Sequence, residues 1–304
     1  YLIAFAGFRY LLAALRTTPN DADATATVAF AHPIETVFAY ILFFCTGLAW
    51  IGLENVTPDL LVAASIYFLG GLALRLRQND SIRGFAGLGA VAGIGYLVKA
   101  VMFPMGIFFL LMAAIAPGRG KVTMRRAMFA FLGFFAVSIP QIIAVSKLAG
   151  HLTYSDTGAI VYTRMVNKYP LFWTGKPEGS GTPLHAVKQI SSKPEAFEFA
   201  VPDVRSSHPV WDEPAYWGAG IKPHFDISRQ LSMTGAVLKG YLTDYGIILF
   251  ACLVLVPLAR IRKSSNEMFV LVLPALGGFA LYALVYAEKR YLGGWAVVLL
   301  LGVL

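Results

Sequence analysis

The apolar run at residues 85–116 constrains this chain more than any other feature. FAGLGAVAGIGYLVKAVMFPMGIFFLLMAAIA contains one charged residue, Lys99, and one proline, Pro104. A membrane-spanning helix needs about 20 apolar residues, within a range of about 17–25, so the run is too long for one span. Pro104 removes a backbone donor and breaks the helical hydrogen-bond ladder. The run therefore predicts two helices joined at the turn from Lys99 to Pro104.

Similar apolar runs extend along the chain, at 1–15, 33–51, 60–76, 127–148, 238–258, 268–287 and from 292 to the end. The 304 residues are 57% hydrophobic and 14% charged, whereas soluble domains are about 45–50% apolar and about 25% charged. We expect an all-α integral membrane protein with about eight spans or partial spans. Because the chain begins and ends inside apolar runs, we also expect a fragment of a longer protein.

The polar stretch 151–233 divides the chain into three predicted regions. Residues 1–150 and 234–304 form the N-terminal and C-terminal transmembrane helices, and residues 151–233 form a large loop domain of mixed, mostly irregular structure. Short helices are expected near 184–200 and 226–236. A large loop held by membrane helices is usually where such a protein meets its substrate or partner.

The positions of lysine and arginine predict how the spans are oriented in the membrane. If the spans alternate, one side carries eleven basic residues in its short loops: Arg16, Arg75, Arg77, Arg83, Arg119, Lys121, Arg125, Arg126, Arg260, Arg262 and Lys263. Cytoplasmic loops carry an excess of lysine and arginine over exterior loops, so the loop domain is expected on the exterior, periplasmic or extracellular. Because basic residues cluster at the ends of apolar runs, the net charge of +8 indicates a lipid bilayer as partner and not nucleic acid.

Two carboxylates, Glu54 and Asp59, flank the exterior turn before the run at 60–76. Asp59 follows a proline and precedes an apolar run, which is typical of a helix N-cap. Either side chain could instead act as a general base, or hold a divalent cation such as Mg²⁺ or Mn²⁺ near a phosphate. The structural and catalytic interpretations are compatible.

Lys99 and the turn GluLysArgTyr (288–291) carry the basic candidates. A lysine inside an apolar run must reach the interface, find a partner or line a cavity, and its compact ammonium suits a phosphate. Arg290 could clamp a phosphate with two parallel hydrogen bonds, although an interfacial belt of tyrosine and arginine also explains this turn. Gly89-x-x-x-Gly93 predicts close helix packing.

The polar stretch contains His151, His185, His208 and His224, which are 34, 23 and 16 residues apart. Metal sites usually have closely paired ligands, so no metal site is predicted. Trp211, Asp212, Glu213 and Trp217 are candidates for the acceptor side of the loop, because tryptophan rings suit sugar stacking or a membrane-surface belt.

Three motifs on the exterior face have a recognisable arrangement: ThrProAspLeuLeu (57–61), GlyTyrLeuValLysAla (95–100) before a proline, and GluLysArgTyr (288–291). Together they resemble the GT-C class of membrane glycosyltransferases, in the style of bacterial relatives of the protein O-mannosyltransferases and aminoarabinose transferases. The long insert between spans departs from the usual pattern of that class.

This resemblance implies transfer of a sugar from a polyprenyl-phosphate carrier to a glycan, lipid or protein acceptor on the exterior face. It also implies the bacterial inner (plasma) membrane as the location. Members of the class have a catalytic acid in the first exterior loop, so a fragment that lacks the first span and first exterior loop would also lack that residue. Asp59 matches the second acidic exterior position of that class. Lys99 would face the carrier phosphate, and Arg290 with Tyr291 would complete the phosphate site.

The residue types fit an inverting displacement, in which a carboxylate deprotonates the acceptor hydroxyl and cations neutralise the departing phosphate. This hypothesis requires Asp59, Lys99 and Arg290 to converge within the reach of one phosphate. One alternative is an O-antigen ligase or polymerase-like enzyme, with essential arginine and histidine in the loop. Another is a non-catalytic membrane scaffold whose loop binds a protein partner.

Overall fold

A computed structural model describes residues 1–17, 33–54, 57–78, 81–115, 124–169, 181–185, 187–198, 214–262 and 265–303. The protein is mostly helical. The helices are α1 (Leu2–Thr17), α2 (Pro33–Cys45), α3 (Asp59–Gln78), α4 (Ile82–Val98), α5 (Met102–Ile115), α6 (Met124–Ala149), α7 (Thr157–Met165), α8 (Pro214–Trp217), α9 (Ile227–Arg262), α10 (Ser265–Ala283) and α11 (Lys289–Val303). A π-helical turn (Thr46–Ile51) follows α2, and two strands, β1 (Lys188–Ser192) and β2 (Glu195–Glu198), lie between α7 and α8.

The apolar run that suggested a helical pair forms the hairpin of α4 and α5. Helix α4 ends at Val98, and the backbone N–H of Lys99 donates to the carbonyl of Gly95. Pro104 is the third residue of α5, in the first turn, where the missing donor has no intrahelical acceptor. The prediction of two helices is confirmed, but the break lies at residues 99–101 and not at the proline.

Glycines bring α4 and α6 into backbone contact. A Cβ atom added at Gly89 would overlap the carbonyl oxygen of Ala130, and one at Gly93 would lie 2.7 Å from the Cβ atom of Val137. On the facing helix, a Cβ at Gly133 would overlap the backbone of Ala86. The close packing predicted for Gly89-x-x-x-Gly93 is therefore confirmed.

Helix α11 lies in the centre of the core. From Leu292 to Val303 it is buried and apolar on all sides, as expected of an enclosed helix. Gly294 approaches Ala63 of α3, and Gly278 of α10 packs against the ring of Trp295. The start of α11 therefore lies beside the start of α3, and this juxtaposition builds the candidate site.

Two described helices, Asp59–Arg77 and Met124–Ala149, are long and apolar enough to cross a membrane. In the apolar 18-residue segment of each helix, 72% of the first is buried inside the protein but only 17% of the second. Shorter apolar helices occur at Glu35–Ile51, Ile82–Val98, Met102–Ile115 and Phe269–Ala283. Core helices of soluble proteins can meet the same length criterion as α3, so the exposed α6 is the more informative of the two.

The polar stretch contains more regular structure than the sequence suggested. The helix expected near 184–200 is wrong in the described part of that range, where β1 and β2 pair antiparallel with Lys188 opposite Glu198. Pro194, between the strands, would interrupt a helix because it cannot donate its backbone hydrogen bond. The helix expected near 226–236 is present as the start of α9, which continues through the predicted boundary at 233/234.

Residues after α6 pack against the hairpin of α4 and α5. The ring of Tyr154 stacks on Phe103 with centroids 4.5 Å apart, and the Tyr96 hydroxyl donates to the carbonyl of Tyr154 at 2.7 Å. Further along, the buried Asn167 donates to the carbonyl of His224 at 2.8 Å. The first part of the polar stretch is thus fixed to the Lys99 end of the hairpin.

Candidate functional site

Asp59 is the first residue of α3 and its carboxylate is almost fully enclosed. The residue is 3% exposed, and its Oδ1 accepts a hydrogen bond from Nζ of Lys99 at 2.6 Å. Carboxylates are favourable in the first turn of a helix because the backbone N–H groups there are unsatisfied. Its position at the start of the helix and its contact with Lys99 together explain why an acidic residue stands at position 59.

Lys99 reaches Asp59 from the turn between α4 and α5. Its Nζ atom also lies 3.8 Å from the centre of the Tyr291 ring, which is a cation–π distance. Burial lowers the pKa of Lys99 from its ordinary value, and the hydrogen bond and negative charge of Asp59 oppose this shift. The ammonium is therefore held by a carboxylate on one side and an aromatic face on the other.

Arg290, in the first turn of α11, contributes the second cation. Its Nε atom lies 2.6 Å from Oε2 of Glu288 and 3.7 Å from Oδ2 of Asp59. The other carboxylate oxygen of Glu288 accepts from the Tyr286 hydroxyl at 2.9 Å. Burial, followed by the contact with Glu288, raises the pKa of Tyr286 to about 12, so this phenol stays a donor at neutral pH.

We call Asp59, Lys99, Glu288, Arg290 and Tyr291 the acid–base cluster. Its two carboxylates and two cations cancel in formal charge. Among the described residues, Oδ2 of Asp59 and Nε of Arg290 are both buried without a hydrogen bond, although Nε is in ionic contact with Glu288. Buried polar atoms without partners are costly, so this pair marks the point at which a ligand could complete the cluster.

The structure thus brings together four of the predicted site residues, namely Asp59, Lys99, Arg290 and Tyr291. Glu54 is exposed in the turn before α3, outside the contacts described for the cluster. Trp217 is only 4% exposed and packs edge-on against Tyr216, so its ring is not a free stacking surface. Trp211, Asp212 and Glu213 lie outside the described residues.

The described histidines make separate contacts. His151 lies 3.3 Å from a carboxylate oxygen of Asp156, the His185 ring stacks on Tyr216, and Nδ1 of His224 lies 3.3 Å from the Tyr169 hydroxyl. In the part of the chain that the structure describes, no group of three or more His, Cys, Asp or Glu side chains could hold a metal ion. His208 lies outside that part.

The acid–base cluster also does not fit the divalent cation considered from the sequence. Mg²⁺ and Mn²⁺ prefer several oxygen ligands with net negative charge. Both carboxylates of the cluster already have cationic neighbours, since Lys99 binds Asp59 and Arg290 lies against Glu288. A divalent cation placed at either carboxylate would be repelled by the Lys99 ammonium or the Arg290 guanidinium.

A second polar feature, which the sequence interpretation missed, adjoins the cluster. Lys289 pairs with Asp244 of α9 at 2.9 Å, next to a cavity of about 230 Å³ between α9 and residues 286–289. Asp244 lies inside the apolar run 238–258, and a charged residue within such a run is a recognisable sign of function. That signal was available in the sequence.

Comparison of the chain with protein-family models, with curated proteins and with solved structures gave no match. The resemblance of the three motifs to the GT-C class therefore stays a hypothesis. The function has to be inferred from the chemistry of the site itself.

Proposed function

We propose that this protein is a membrane glycosyltransferase that moves a sugar from a polyprenyl-phosphate carrier to an acceptor hydroxyl. The observation that carries the proposal is the enclosed carboxylate of Asp59, with Lys99 at 2.6 Å from Oδ1 and Arg290 at 3.7 Å from Oδ2. A base beside two cations is the set of groups that displacement of a phosphate leaving group requires.

The two cations are suited to different parts of the phosphate. Lys99 supplies a compact charge, and the guanidinium of Arg290 supplies several donors in a fixed fork. An incoming phosphate would compete with Asp59 for Lys99 and with Glu288 for Arg290. The aromatic face of Tyr291 would keep the ammonium of Lys99 in place during this exchange, because the ring attracts it without consuming a hydrogen bond.

In the proposed step, Oδ2 of Asp59 accepts the proton of the acceptor hydroxyl. The acceptor oxygen then forms a bond to the anomeric carbon, and the bond from that carbon to the carrier phosphate breaks. The electron pair of the broken bond passes to the phosphate oxygen, next to Lys99 and Arg290. Attack opposite to the leaving group inverts the configuration of the anomeric carbon.

Several features support a membrane location. Helix α6 is 26 residues long, or about 39 Å at 1.5 Å per residue, and exposes an apolar stripe that includes Met128, Leu132, Phe135, Ile139 and Ile143. An extended exposed apolar surface of this kind indicates contact with lipid. The acid–base cluster lies at one end of α3, whereas Arg75 and Arg77 lie at the other, in keeping with a cytoplasmic basic end.

The test is transfer of radiolabelled sugar from a panel of polyprenyl-phosphate hexoses and pentoses by the purified protein in detergent. We expect Asp59→Asn to lower the rate by about 100-fold or more, the range for loss of a general base. Glu54→Gln should keep the wild-type rate, because Glu54 is exposed and has no role in the proposed step. Full activity of a correctly folded Asp59→Asn variant would remove Asp59 from the mechanism.

A further inference from the structure

The two carboxylates of the acid–base cluster differ in their access to water. The side chain of Asp59 is 2% exposed, whereas that of Glu288 is 33% exposed. Both cations are also open to solvent, since the side chain of Lys99 is 25% exposed and that of Arg290 is 28% exposed. A dissolved anion can therefore reach Glu288 and both cations, while Asp59 stays enclosed.

The side-chain contacts of Glu288 are confined to its own turn. Its Oε2 atom lies 2.6 Å from Nε of Arg290, and its Oε1 atom accepts from the Tyr286 hydroxyl at 2.9 Å. The carboxylate can leave both partners by rotation about its own side-chain bonds, without separating any two helices. Asp59 has no such freedom, because its bond to Lys99 joins the start of α3 to the end of α4.

Arg290 has donors that its present contacts do not use. In the part of the chain that the structure describes, its hydrogen bonding consists of one long bond, from Nη2 to the Tyr291 hydroxyl at 3.4 Å. Its Nε is in ionic contact with Glu288 but forms no hydrogen bond. A guanidinium has five N–H donors in a fixed fork that two oxygens of one phosphate can occupy together. A phosphate would therefore bind Arg290 with more hydrogen bonds than Glu288 does.

The formal charges determine which carboxylate has to move. With all four charged groups in place the cluster is neutral, and an added anion would leave it negative at a partly enclosed position, which is unfavourable. When Glu288 turns out into water, Asp59 and the two cations keep one net positive charge. That charge balances a phosphodiester, which has one ionised oxygen.

The same balance holds after the proposed transfer step. Asp59 has then accepted the proton of the acceptor hydroxyl and is neutral, so Lys99 and Arg290 present two positive charges. The departing phosphate is now a monoester, which carries about 1.5–2 negative charges near pH 7. Removal of Glu288 therefore keeps the site close to neutral both before and after the reaction.

We propose that Glu288 is an internal anion, which occupies the guanidinium of Arg290 until a phosphodiester displaces it. The displaced carboxylate turns into water, and Asp59 remains in place as the base. Competition from Glu288 thus sets the affinity of the site for its ligand. The identity of this ligand as a sugar-linked polyprenyl phosphate rests on the proposed function, whereas the displacement of Glu288 by an anion does not.

The test is binding of dimethyl phosphate, a soluble phosphodiester with one negative charge, to the purified full chain in maltoside detergent. Broadening of the phosphorus NMR signal of the ligand gives the dissociation constant. We expect Glu288→Gln to bind about ten-fold more tightly than wild type, because the competing charge is gone. Glu54→Gln is the matched control, since it removes the same charge from an exposed residue outside the cluster, and it should bind as wild type does.

Two further variants locate the effect. Tyr286→Phe keeps every charge but removes the hydroxyl that holds Glu288, so we expect binding about three-fold tighter than wild type. Arg290→Gln should weaken binding at least about ten-fold, and adding Glu288→Gln to it should recover nothing, because Glu288 acts through Arg290. Circular dichroism confirms the helical fold of each variant.

The sign of the change in Glu288→Gln decides the matter. Binding equal to or weaker than wild type would overturn the proposal, because it would show that Glu288 only holds Arg290 in position. Tightening that persists without Arg290 would overturn it as well. Tighter binding in Glu288→Gln, together with absence of sugar transfer by the wild-type protein, would support the displacement and remove only the sugar carrier as its ligand.

Discussion

Lys99 and Asp59 form an ion pair of 2.6 Å between residues that are 40 positions apart in the chain. The pair joins the end of α4 to the start of α3, and the side chain of Asp59 is only 2% exposed. A carboxylate so enclosed depends on its partner, because water cannot replace the hydrogen bond. The pair thus joins two helices and contains Asp59, the general base of the proposed site.

Lys99→Met should destabilise the fold by leaving Asp59 enclosed without its cation. We expect the free energy of unfolding to fall by about 3 kcal/mol, the lower end of the range for a broken buried pair, because a quarter of the Lys99 side chain is exposed. Denaturant titration in detergent measures this loss. The double variant Asp59→Asn/Lys99→Met should recover part of it, and strictly additive losses would show that the two residues are not coupled.

Tyr291 should stabilise the site mainly through its ring, because its hydroxyl accepts only one long hydrogen bond, from Nη2 of Arg290 at 3.4 Å. The ring lies 3.8 Å from Nζ of Lys99 and stacks on Tyr282 with centroids 5.3 Å apart. Tyr291→Leu removes both contacts and should lower the free energy of unfolding by about 1–2 kcal/mol. Tyr291→Phe keeps both and should stay near wild type. Equal losses in the two variants would contradict a role for the ring.

Arg290→Lys should impair sugar transfer while keeping the positive charge. A lysine cannot reproduce the fork of donors with which arginine holds a phosphate, so we expect the rate to fall about ten-fold, or about 1.4 kcal/mol in the barrier. The control is Arg9→Lys, at an exposed arginine of α1 remote from the cluster. A rate in Arg290→Lys equal to that of the control would show that charge alone suffices.

Two glycines of α4 offer a matched test of the helix contact with α6. Gly89→Ala should destabilise the protein, because the new methyl group would overlap the backbone of Ala130, and overpacking typically costs about 1–3 kcal/mol. Gly87→Ala, two residues away in open space, should be neutral or raise stability by up to about 1 kcal/mol. Thermal unfolding in detergent distinguishes the variants, and the reverse order would contradict the packing of α4 on α6.

The proposed membrane orientation predicts different accessibility at the two ends of α6. In a variant with Cys45 and Cys252 replaced by alanine, Arg125→Cys and His151→Cys each introduce one thiol at an exposed position. A membrane-impermeant maleimide should label the thiol at 151 in intact spheroplasts, and the thiol at 125 only after lysis. Labelling of both thiols in intact spheroplasts would show that α6 does not cross the membrane in the proposed orientation.

The sequence by itself determined the helices and the residue types at their ends. Apolar length and a single lysine predict the hairpin of α4 and α5, because hydrophobic periodicity and backbone hydrogen bonding act over a few neighbouring residues. The glycines that allow α4 to approach α6 could be identified for the same reason. Sequence reasoning also selected Asp59, Lys99, Arg290 and Tyr291, but as separate positions on three turns.

Only the tertiary structure decided which of these residues meet. The packing of the buried α11 against α3 brings Arg290 to Asp59, whereas Glu54, five residues before Asp59, remains exposed. The burial of Trp217 and the cavity between α9 and residues 286–289 likewise depend on contacts between distant segments. Local composition specifies an element and its polar ends, but close packing between elements determines which partner each polar group finds.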